Sequence, residues 1–147
     1  MQISKSLKHP DYSGTEFQIE LANREPTFGI NFDVLLKHPK YGYVIIELLL
    51  CEESQLSVNP WTSHPSKYWN KNWRKFVKLW EVTQALHGTL LLVNYAKRGT
   101  KHEDKVKLIR VFEMDEKGIK RQREVIYTRE TFGKWYRNFN KQCGGIT

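Results

Sequence analysis

The run Tyr41 to Cys51 (YGYVIIELLLC) is apolar on both alternating faces, and this constrains the fold more than any other feature of the chain. Ile45, Glu47, Leu49 and Cys51 share one face of an extended strand, while Val44, Ile46, Leu48 and Leu50 share the other. Such a strand needs cover on both sides and belongs in the interior of a sheet. Glu47 interrupts the run. A carboxylate costs several kcal/mol to bury without a partner, so an acid at this position is paired, hydrogen-bonded or bound to a metal. Just upstream, Gly29 to Leu36 (GINFDVLL) reads as a second strand with its own single acid, Asp33, joined to the first by Lys37-His38-Pro39-Lys40.

Further elements follow from periodicity. Thr15 to Leu21 alternates, which suggests a half-exposed strand and is also compatible with a short helix. A helix is predicted from about Ser66 to His87, opened by Pro65 and stopped by Gly88. Trp69, Trp73, Phe76 and Trp80 form its inner stripe, and Lys67, Lys71, Arg74 and Lys78 its outer one. Residues 89–96 read as a central apolar strand, 105–114 and 124–127 as two more, and Thr128 opens a last helix with Phe132, Trp135, Tyr136 and Phe139 turned inward. The expectation is one mixed α/β domain whose sheet contains 15–21, 29–36, 41–51 and 89–96, flanked by helices near 66–87 and 129–142.

Composition narrows the function classes. At 147 residues, the chain has room for one real core, and 39% apolar residues argue against disorder. No apolar run reaches the length of a membrane span, and the first ten residues have no signal-peptide core, so a cytoplasmic protein without a membrane partner is expected. Cys51 and Cys143 form no disulfide framework. The formal charge of +8 points to a polyanionic partner. P-loop, dinucleotide, zincin and serine-hydrolase signatures are all missing from the sequence.

The order of elements, with Phe32-Asp33 on one strand and Glu47-Leu48-Leu49 on the next, resembles the PD-(D/E)XK nuclease superfamily over roughly residues 15–96. The resemblance implies a restriction-endonuclease-like fold: three meandering strands, a helix and a fourth strand. It also implies a Mg²⁺- or Mn²⁺-dependent nuclease acting on DNA or RNA, often as a homodimer. Asp33 and Glu47 would be the metal ligands and catalytic acids. Leu49 stands where the family carries lysine, and Lys67 or Lys71 on the following helix is the expected replacement.

Arg74, Lys78, Lys97, Arg98 and Lys101 are candidate phosphate contacts, with Trp61 and Tyr68 as candidate stacking residues. The competing readings are that Asp33 caps a turn, that Glu47 makes a buried salt bridge, and that the basic helix face is simply solvated. A non-catalytic nucleic-acid-binding module and a protein-interaction or regulatory domain are the corresponding functions.

Overall fold

The computed structural model describes residues 12–26, 28–55 and 57–145. The elements run α1 (Ser13–Ala22), β1 (Val34–His38), β2 (Gly42–Leu50), a 3₁₀ turn (Pro65–Tyr68), α2 (Trp69–Ala85), β3 (Thr89–Tyr95), β4 (Lys105–Asp115), β5 (Gly118–Thr128) and α3 (Arg129–Cys143). The five strands lie in chain order, β1-β2-β3-β4-β5. All neighbours pair antiparallel except β2 and β3, which are parallel and joined by the crossover through α2. This is the mixed, two-sided α/β sheet that the apolar runs predict.

The two faces of β2 sort the core. Ile45 and Leu49 pack with Leu90, Leu92 and Ile109 beneath Trp69, Phe76 and Leu79 of α2. Val44 and Ile46 pack with Leu91, Val93, Val106 and Leu108 beneath Phe139 of α3. Both helices therefore present the aromatic stripes that sequence spacing assigns to them. α3 starts at Thr128, whose side chain accepts a hydrogen bond from the Thr131 amide while the Thr131 side chain accepts one from the Thr128 amide.

One element differs from expectation. Residues 15–21 are not a strand but part of α1, so the three-strand meander is instead a two-strand hairpin preceded by a helix. The reason is local: Glu16, Gln18, Glu20, Leu21 and Ala22 are good helix formers. Asn23 then closes the helix in the left-handed region at φ 48°, donating its amide to the Glu20 carbonyl. The alternation of Phe17, Ile19 and Leu21 misleads because none of the three is buried. The first sheet strand is also shorter than expected, starting at Val34 just after Asp33. No helix among the described residues is long and apolar enough to cross a membrane.

Candidate functional site

Glu47 sits on the α2 face of β2, between the buried residues Ile45 and Leu49, and is only 3% exposed. Its Oε1 meets the Lys75 ammonium at 2.6 Å. Its Oε2 is buried with no hydrogen-bond partner. Burial pushes the Glu47 carboxyl above the ordinary value of 4.5; the hydrogen bond and charge of Lys75 oppose that rise, the charge of Asp33 adds to it, and a hydrogen bond from the Asp33 backbone opposes it.

Asp33 is brought to the same place by the hairpin register. Val34 pairs with Ile46, which leaves Asp33 beside the end of β1 at the level of Glu47. Its Oδ2 accepts a hydrogen bond from the Leu48 amide at 2.8 Å, so the side chain also fastens the start of β1 to β2. The two acids thus lie side by side at neighbouring positions of the hairpin, Glu47 buried and Asp33 exposed, and feel each other's charge.

The lysine paired with Glu47 is Lys75, while Lys67 and Lys71 make no ion pair among the described residues. It lies one residue before Phe76, whose fully buried ring fixes the rotation of α2 and turns Lys75 toward β2 at the edge of the inner stripe. Sequence reading follows the outer series 67, 71, 74 and 78 and passes over it. The available signal was its spacing of four from Lys71 and its place beside a core aromatic.

Lys75 stands between two open depressions. One, of about 350 Å³, is bordered by Gly29 to Asn31 together with Arg74 and Lys78. The other, of about 420 Å³, contains Lys67, Tyr68 and Asn72. Lys67, Lys71, Arg74 and Lys78 are all exposed, as a phosphate-facing helix surface requires. Arg74 also lies over the Trp73 ring, with its guanidinium carbon 4.8 Å from the centroid.

The remaining basic residues and aromatics are placed elsewhere. Lys97, Arg98 and Lys101 are exposed after β3, but none of them lines either depression beside Lys75. Lys101 borders a separate cavity of about 170 Å³, and Glu52, Gln55 and Val58 form the wall shared with the Lys67 depression. Trp61 is held by its own structure: its Nε1 donates to the Tyr127 carbonyl at 2.9 Å, and Lys105 covers its ring. Tyr68 is half-buried against Phe76, and burial raises its hydroxyl well above the ordinary range. Tyr68 lacks the free ring that stacking on a base requires, while Trp61 stays 37% exposed with Lys105 over its ring.

Two carboxylates are the available metal donors here, since no group of three or more His, Cys, Asp or Glu is gathered anywhere among the described residues. That set still suits Mg²⁺, which keeps several waters and takes one or two carboxylates with substrate oxygens. The orphaned Oε2 of Glu47 is the atom such an ion would satisfy. Comparison with protein families, curated proteins and solved structures finds no match to this chain.

Proposed function

We propose that the chain is a metal-dependent nuclease-like hydrolase of phosphodiester bonds in DNA or RNA, with Asp33, Glu47 and Lys75 at its centre. The observation that carries this reading is Glu47: a buried carboxylate with one oxygen on Lys75, the other without a partner, and a second carboxylate beside it. Asp33 and Glu47 would hold Mg²⁺ or Mn²⁺. A bound ion of this kind neutralises phosphate charge and lowers the pKa of its water.

The chain's own groups do the rest. Lys75 takes the place that Leu49 leaves without a charge. Its side chain is half-exposed, so its ammonium can reach a phosphoryl oxygen and stabilise charge there without leaving the carboxylate edge. Lys67, Lys71, Arg74 and Lys78 would grip neighbouring phosphates of either strand, giving affinity without sequence preference.

The second reading, a nucleic-acid-binding module without catalysis, draws on the same ion pair. Lys75 already compensates Glu47, and Asp33 already serves the Leu48 amide. Plasmid and single-strand cleavage with Mg²⁺ or Mn²⁺ separates the two. Catalysis requires metal-dependent cleavage that is lost in Asp33→Asn and Glu47→Gln at unchanged fold. Salt-sensitive binding with no cleavage by the wild type leaves the binding module.

A further inference from the structure

α1 cannot sustain itself as it stands. It has ten residues, none of them buried, and no member in either core cluster. Isolated helices of this length are marginal in water. Phe17 and Leu21, four apart and 55% and 68% exposed, form an apolar stripe. Glu16 and Glu20 form an acidic stripe beside it, and like charges four apart weaken a helix unless a cation answers them. No Lys or Arg occurs within the helix.

The opposite pattern lies on the α3 face of the sheet. A groove of about 300 Å³ runs beside α3 over Val44, Leu91 and Leu108, with Trp135 and Phe139 as a wall. Arg110 and Arg123 border it, directly opposite each other on β4 and β5. Like charges in that relation also repel, and none of the ion pairs among the described residues involves either arginine. The volume lies at the bottom of the range for small-molecule pockets and suits side-chain knobs.

We propose that α1 of one copy docks in the arginine-bordered groove of a second copy, with Phe17 and Leu21 in the apolar trough and Glu16 and Glu20 on Arg110 and Arg123. The contact removes two like-charge repulsions at once and covers the helix. Reciprocal docking closes a two-fold pair. The chain path favours a second copy over the chain's own groove. Residues 29–31 border α2 on the other face of the sheet, only six residues of chain after α1 ends at Ala22. Six residues reach roughly 20 Å fully extended, and the layers are themselves about 20 Å apart before any detour round β1.

Light scattering on the full chain tests this, with thermal melts to verify folding. The wild type is expected to be a dimer that loosens with salt. Glu16→Arg/Glu20→Arg and Arg110→Glu/Arg123→Glu should each be monomeric, with dissociation constants raised roughly tenfold or more. Mixed one to one, the two monomers should form a heterodimer, because both contacts then carry opposite charges. If the arginine double variant does not fold, Arg123→Gln alone should weaken the dimer several-fold, since that side chain is exposed. A monomeric wild type, with α1 free or folded on its own chain, overturns the proposal. So does a dimer untouched by either variant, or a mixture that stays monomeric.

Discussion

Lys75 and Glu47 share an ion pair but not a fate, because 51% of the lysine side chain is exposed and only 4% of the glutamate's. Removing Lys75 leaves a buried carboxylate alone, so Lys75→Met should cost about 1–3 kcal/mol in urea denaturation at pH 7 without metal. Glu47→Gln frees an ammonium that can rehydrate, and should be neutral or slightly stabilising under the same conditions. The pH dependence has a definite sign. Burial holds the folded-state pKa of Glu47 above 4.5, so the folded chain binds the proton more tightly than the unfolded one. Stability from this group is full below 4.5 and is lost as pH rises through the raised value. The advantage of Glu47→Gln over wild type should therefore grow across that window, and a flat difference would contradict the burial argument. The two acids are legible in the sequence because a charge inside an apolar run stands out. Lys75 is not, since its partner depends on the rotation of α2, which is set by tertiary packing around Phe76.

At the scale of elements, the end of α2 is joined closely to β2. His87 takes a left-handed conformation at φ 53°, and the Gly88 amide closes the helix on the Thr83 carbonyl at 2.9 Å. A Cβ on Gly88 would run into the backbone carbonyl of Tyr43 on β2, which cannot swing aside as a side chain can. Gly88→Ala should cost about 1–3 kcal/mol, read as a lowered denaturation midpoint at unchanged slope. A wild-type midpoint would mean that β2 gives way at no cost. The glycine was readable as a helix stop, but the close approach behind it was not, because it involves a strand far away in sequence. α1 fails to be read for the converse reason. Its alternating pattern is real, yet no sheet neighbour exploits it, and helix propensity decides where burial does not.

The molecule as a whole is an antiparallel sheet with one parallel step, and that step divides the chain into two halves of different character. Two-faced apolar runs were enough to place β2 and β3 in the interior and to require a helix on each side. They could not reveal the cavity wall of Glu52, Gln55 and Val58 or the split between Lys101 and the basic helix, since loops carry no periodicity. The parallel step also sets a schedule. β3, β4, β5 and α3 join sequence neighbours, whereas β2 reaches β3 only after residues 51–88 have been closed into a loop. Local contacts form early and distant pairings late. Pulse-labelled hydrogen exchange during refolding should protect the β4 and β5 amides before those of β2, and the reverse order would remove this ranking. Asp33, Glu47 and Lys75 all lie upstream of β3; Asp33 docks locally on β2, whereas Lys75 meets Glu47 within the crossover that the late pairing closes. On a chain emerging from the ribosome, the residues proposed to do chemistry are synthesised before β3, and the pairing of Lys75 with Glu47 belongs to the crossover that this strand completes.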